Sequence, residues 1–124
     1  MKVLLCGCGG IGSYIVPLIS KALLYDQLKD CEVVIADGDS VEPKNLSYQN
    51  FSEEDLLCNK AECLGKRYTV GYINRKITKP KELDGYDVII LAVDNSETRK
   101  MVYEYCKNKQ TFWIDARAVD RTVA

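Results

Sequence analysis

The sequence predicts a single α/β domain built on a doubly wound parallel sheet, with strand order 3-2-1-4-5. Three observations point there. Short, continuous apolar runs such as residues 2–6, 31–36 and 87–93 have the pattern of strands buried on both faces. Segments with helical spacing alternate with them along the chain. A glycine-rich turn joins the first run to the first helical segment, as in a β-α-β nucleotide-binding unit. At 124 residues the chain has room for one core, and 47% hydrophobic residues is ordinary globular usage.

Each element has its own justification. Residues 2–6 form an apolar run that stops at Gly7, so strand 1 enters a tight turn. From Ile11 the apolar residues fall at positions 11, 15, 18, 19, 22 and 23, one helical stripe facing a sheet. Pro17 lies within that helix and predicts a start near Ser13 or a bend, because proline lacks the N–H that the helix needs. Lys29 and Asp30 break the chain before strand 2 at residues 31–36. Residues 38–51 hold Gly38, Pro43, Asn45, Ser47 and Asn50, which is loop chemistry, and the length exceeds a simple connection. Ser52 with Glu53, Glu54 and Asp55 resembles a cap and an acidic first turn, opening a helix in two pieces that runs to about residue 68. Residues 70–77 favour strand 3 and residues 79–85 a turn; strand 4 follows at 87–93. A helix at 96–107, with Met101, Val102 and Tyr105 inward, leads to strand 5 at 111–114. The right-handed crossover rule then gives the strand order.

Composition narrows the function. Seventeen Lys and Arg against 18 Asp and Glu give a formal charge of −1, with no basic block to attract nucleic acid, so DNA is not an expected partner. No apolar run approaches the roughly 20 residues of a membrane helix. Six irregularly spaced cysteines without a secretion signal predict reduced thiols and a cytoplasmic protein. The spacings Cys6-x-Cys8 and Cys58-x4-Cys63, with no histidine in the chain, disfavour zinc and remove serine–histidine and cysteine–histidine nucleophiles.

Ligands of such sheets bind beyond the carboxyl ends of the strands, where the strand order reverses. The residues there are Gly7, Gly9, Gly10 and Gly12 of a G-x-G-x-x-G turn, Asp37 and Asp39 after strand 2, and Asp94 after strand 4. The glycines let backbone N–H groups and a helix N-terminus approach a phosphate. Asp37, 25 residues beyond Gly12, is placed to accept ribose hydroxyls, a task shared by NAD and ATP sites. Asp94 either caps the following helix or holds Mg2+ against a polyphosphate. Cys8, at a helix start, reads better as a small tolerated residue than as a redox switch. The eight tyrosines read as core edges or a subunit interface rather than as a base-stacking platform.

Together, Gly7-x-Gly9-Gly10-Ile11-Gly12-Ser13, Asp37-Gly38-Asp39-x-Val41-Glu42-x-x-Asn45-Leu46 with Gln49 and Phe51, Asn59-Lys60-Ala61-Glu62, and Ala92-Val93-Asp94-Asn95 resemble the ThiF/MoeB/HesA-type adenylating family, related to ubiquitin-activating enzymes. Ile114-Asp115-Ala116-Arg117 matches a strand-end motif of some members. The resemblance implies a Rossmann-like fold and an ATP-dependent reaction in which a carboxylate, the C-terminus of a ubiquitin-like or sulfur-carrier protein, becomes an acyl-adenylate. It implies roles for Lys60 on the developing negative charge, Asp94 on Mg2+, and Asp37, Asp39, Asn45, Gln49 and the glycines around ATP. It also implies a homodimer. Tyr48 stands where the family commonly has arginine ahead of the glutamine.

The family's partner-binding sheet, crossover loop and zinc ligands lie beyond residue 124, and residues 119–124 have no stop character. The chain is therefore expected to be one nucleotide-binding domain, residues 1–124, truncated relative to the full fold and an adenylyltransferase when the rest is present. Two rival readings remain: an NAD-binding oxidoreductase domain, which leaves Asp39, Asn45, Gln49 and Lys60 without a role, and a non-catalytic interaction module of the same fold, which Tyr48 favours.

Overall fold

The computed structural model describes residues 1–25 and 30–116. Its elements are β1 (Lys2–Cys6), α1 (Gly12–Leu24), β2 (Glu32–Ala36), α2 (Lys60–Tyr68), β3 (Gly71–Ile73), β4 (Val88–Leu91), α3 (Ser96–Cys106) and β5 (Phe112–Asp115). All pairings are parallel and the order is β3-β2-β1-β4-β5, as the crossover rule predicts. In register, Leu4 of β1 lies between Val34 of β2 and Ile89 of β4. Among the described residues no helix is long and apolar enough to cross a membrane. The Lys29 half of the break before β2, Arg117 of the strand-end motif and the 119–124 ending lie outside the described residues.

Alternation along β1 splits the core into two layers. Val3 and Leu5 pack with Val33 and Ile35 of β2 beneath Val16 of α1 and Ala61 and Leu64 of α2. Leu4 and Cys6 pack with Ile89 and Leu91 of β4 against Val102 and Cys106 of α3, with Ile77 and Leu83 closing that side. Leu4, Leu5, Ile89 and Leu91 are fully buried, and each such side chain contributes about 1.5–3 kcal/mol of hydrophobic stabilisation.

Several boundaries differ from expectation for identifiable reasons. Helix α1 starts at Gly12, ahead of Ser13, and includes Pro17. Proline cannot donate to the Ser13 carbonyl four residues back, and the Nδ2 of Asn50 donates to that carbonyl instead, at 3.1 Å. Leu18, expected inward, is 68% exposed, while Val16, outside the expected stripe, is buried. At about 100° per residue the stripe formed by positions 12, 16, 19 and 23 leaves Leu18 on the flank. The acidic segment after Ser52 forms only a 3-10 turn, Glu53–Asp55, separate from α2. Strand β3 stops at Ile73 because its partner β2 turns away after Ala36; the last link is the Asp37 N–H donating to the Ile73 carbonyl at 3.2 Å.

Candidate functional site

A cleft of about 680 Å³ opens over the carboxyl ends of β1, β2 and β4, within the 300–1,000 Å³ span of small-molecule sites. Its floor is the β1–α1 turn. Gly7 has φ of +101°, and a Cβ there would lie 2.5 Å from the Ala92 carbonyl oxygen; a Cβ on Gly12 would lie 1.9 Å from the Gly7 carbonyl oxygen. Only glycines let helix α1 start this close to the strand. Gly7, Gly9, Gly10 and Ile11 face the cleft, whereas Gly12 lies behind it as a packing residue. Ile11, at the N-cap position of α1, provides no side-chain cap. The Ser13 N–H is taken by the Gly9 carbonyl and those of Tyr14 and Ile15 by the Ile11 carbonyl, so the turn offers the cleft the N–H groups of Gly9, Gly10 and Ile11 together with the positive end of the helix dipole.

Asp37 joins the two loops that form the walls. Its Oδ2 accepts from the Cys8 N–H and its Oδ1 from the Asp39 N–H, both at 2.7 Å. Burial raises the pKa of this carboxyl, against the lowering effect of those two N–H donors. Each oxygen keeps a further lone pair for a ligand hydroxyl. Asn59 Nδ2 donates to the Asp37 carbonyl at 2.9 Å, and its Oδ1 caps α2 by accepting from Glu62 N–H at 2.9 Å. Asn59 thereby sets Lys60, the first residue of α2, on the wall beside Asp37 and Asp39. Burial pushes the Cys8 thiol well above its ordinary value, and its Sγ lies 3.9 Å from the Ala36 carbonyl oxygen. A protonated, enclosed thiol is no redox switch.

Lys60 is 6% exposed and faces the cleft. Among the described residues its ammonium has no direct ion pair or hydrogen bond, only the longer-range attraction of the Asp37 carboxylate, and a buried charge that is not directly paired is costly. Gln49, also buried, faces the cleft beside Gly9, and its Oε1 has no hydrogen-bond partner.

Asp94 is exposed at the cleft edge, and no described group pairs with its carboxylate. Asp94 is not the cap of α3: Asn95 is, its Oδ1 accepting from the Thr98 N–H at 2.8 Å. An unpaired carboxylate is the hard oxygen donor that Mg2+ takes alongside phosphate oxygens, so the donor set fits that ion. Asn45 is not on the cleft wall. It is buried in a 3-10 turn, Pro43–Asn45, where its Oδ1 accepts from the Glu42 N–H at 2.8 Å, and so it shapes the loop bearing Gln49. Tyr48 is half exposed at the lip, opposite Gly10. Lys76 and Arg99, absent from the sequence-based candidates, also face the cleft. Lys76 follows β3 in a polar stretch with no motif; Arg99 lies one turn into α3, a spacing that would have revealed it had Asn95 been recognised as the cap.

The sequence model of the ThiF family matches residues 1–122. The chain belongs to the ThiF family. It is 23% identical over 116 residues to the tRNA threonylcarbamoyladenosine dehydratase of Haemophilus influenzae, covering 84% of this chain and 42% of that protein. The fold of this ThiF-family chain matches the E. coli dehydratase TcdA solved with ATP, at TM-score 0.79 and 18% identity, covering 98% of this chain and 54% of that one. It matches E. coli MccB solved with ATP equally well, at TM-score 0.79 and 26% identity, over 96% of this chain and 37% of that one. The chain thus spans about half or less of the relatives it matches.

Proposed function

We propose that this ThiF-family domain binds ATP with Mg2+ in the cleft and, with the rest of a family fold, activates a carboxylate as an acyl-adenylate. The acceptor class would be the C-terminus of a ubiquitin-like or sulfur-carrier protein. The observation that supports ATP most directly is Lys60, a buried ammonium that makes no direct ion pair or hydrogen bond to the described residues and feels only the longer-range attraction of the Asp37 carboxylate, beside a glycine turn whose Gly9, Gly10 and Ile11 N–H groups face the cleft. Crystals of TcdA and MccB with ATP support the same assignment.

The reaction needs no side-chain nucleophile. A carboxylate oxygen attacks the α-phosphorus, the bond to the bridging oxygen breaks, and pyrophosphate leaves with the electron pair. This chain's residues would contribute position and charge. The β1–α1 N–H groups and Lys60 hold the phosphates and balance the charge that grows on them, and Asp37 fixes the ribose. Asp94 would hold Mg2+, which supplies charge neutralisation to the phosphates. Tyr48 places a phenol at the lip where a guanidinium is usual, so the positive charge facing phosphate comes from Lys60, with Lys76 and Arg99 farther along the walls. A homodimer fits the solvent face of α1, where Tyr14, Leu18 and Tyr25 are exposed on one side of the helix.

A titration with thermal denaturation separates the readings. ATP with Mg2+ at 100 times its Kd should stabilise the protein by about 2.7 kcal/mol, and NAD should not. Stabilisation by NAD alone would establish the oxidoreductase reading, and no response to either would establish the interaction module.

A further inference from the structure

In the reading above Arg99 contributes only positive charge to the cleft wall, yet its contacts converge on the one residue assigned to the metal. Its Nη2 donates to the Val93 carbonyl at 2.5 Å and its Nη1 to the Asp94 carbonyl at 3.4 Å, while Nε donates to Asp115 Oδ1 at 3.2 Å. The Arg99 and Asp115 side chains are only 20% and 18% exposed, so their ion pair is shielded from solvent. Long helical side chains lean toward the helix N-terminus, which lets Arg99, on the first full turn of α3, reach back over the β4–α3 connection.

The two carbonyls it grips belong to the peptide planes on either side of the Asp94 Cα. Holding both planes restrains φ and ψ of that residue, and with them the direction of its Cα–Cβ bond. No strand or helix bond could do this. Strand β4 ends at Leu91, with the Ala92 N–H still donating to the Cys6 carbonyl of β1 at 2.8 Å, and α3 begins at Ser96, so residues 93–95 lie between the two. Asn95 ties down only the helix side of the connection. Asp115, at the end of β5, holds the guanidinium in place from the neighbouring strand.

We propose that Arg99, braced by Asp115, is a positioning residue that aims the Asp94 carboxylate at the metal of bound Mg2+–ATP. This rests on the Mg2+–ATP reading of the cleft. A lysine in its place would keep the charge near Asp115 but lack the planar fork that spans two carbonyls at once.

Isothermal titration of ATP, with Mg2+ and with EDTA, on the wild-type chain and on Arg99→Ala, Arg99→Lys, Asp94→Ala and the Arg99→Ala/Asp94→Ala double variant tests this. Circular dichroism and the fluorescence of Trp113 on β5 verify folding. Arg99→Ala should weaken Mg2+–ATP binding at least tenfold and metal-free ATP binding less than twofold. Arg99→Lys should be nearly as weak, and the double variant no weaker than Asp94→Ala alone. Equal losses with and without Mg2+, full rescue by lysine, or additive losses in the double variant would each overturn the positioning role. If Asp94→Ala leaves the Mg2+ dependence intact, or the wild type binds no ATP, the reading of the cleft fails and the proposal with it. If Arg99→Ala does not fold, Arg99→Lys, which keeps the ion pair, decides the case.

Discussion

Replacing Lys60 with methionine should move stability and nucleotide affinity in opposite directions. Methionine keeps most of the length of the side chain and removes the charge, while the Lys60 backbone N–H still donates to the Asp39 carbonyl at 2.9 Å. In the ligand-free protein the ammonium is buried without a direct ion pair, attracted only at longer range by the Asp37 carboxylate, and substituting buried ionic groups by apolar ones of similar volume is neutral to stabilising. A gain of about 1 kcal/mol is expected. Unfolding entropy of about 2.1 cal/mol/K per residue amounts to roughly 260 cal/mol/K for this chain, so the gain is about 4 °C in Tm. With Mg2+–ATP present the lost charge-assisted contact costs about 1.5–3 kcal/mol, or about 10- to 100-fold in Kd. Calorimetric melting without ligand and titration with Mg2+–ATP measure the two sides. A Tm several degrees lower with Kd changed less than threefold would show that the ammonium is a structural group, and would remove the main support for a phosphate site.

Three further outcomes follow from the same geometry. Gly12→Ala should cost at least about 3 kcal/mol in urea unfolding because its methyl meets the Gly7 carbonyl, whereas Gly10→Ala, whose methyl would lie 3.9 Å from the Tyr48 ring, should leave stability within about 0.5 kcal/mol and lower nucleotide affinity. Asn95→Ala should lose about 1 kcal/mol of ligand-free stability through the α3 cap, and Asp94→Ala none; the reverse pattern in denaturant melts would return Asp94 to the capping role. Hydrogen bonds from the Cys63 thiol, the Ser52 N–H and the Arg67 guanidinium outweigh partial burial and hold the Asp55 carboxyl at about 2. Its folded value is depressed, so its contribution is complete above about pH 4 and fades as pH falls toward 2. Asp55→Asn should therefore cost on the order of 1 kcal/mol in melts at pH 7 and almost nothing near pH 2.

The sheet was legible because its central strands β1, β2 and β4 are covered on both faces, so their runs are apolar almost throughout and give way to Gly7, Asp37 and Asp94 where the chain turns. The order needed only the crossover rule. Finer placement depended on tertiary facts absent from local pattern. Val16 and Leu18 are both apolar, and only the sheet decides which is buried. Asp94 and Asn95 are adjacent good cap formers, and the backbone alone decides between them. The site residues at strand ends were readable, but the burial of Lys60 was not, since a lysine opening a polar helix has the pattern of a solvated one. Asn45 had the right motif and sits off the cleft wall, and Lys76 and Arg99 had positions on the wall without a motif.

Pro17 is ordinarily a fault within a helix, yet here it frees the Ser13 carbonyl that Asn50 takes. Asn50 also receives the Ser13 hydroxyl as an acceptor for its N–H at 3.0 Å. The stretch bearing Tyr48 and Gln49 is thereby buttoned to the first turn of α1 and travels with it as a rigid unit. The opposite bank is anchored too: besides the Asp37 carboxylate and Asn59, the Lys60 N–H donates to the Asp39 carbonyl at 2.9 Å and the Val41 N–H to the Cys58 carbonyl at 2.8 Å, so a nucleotide would enter between two walls that are both tied down.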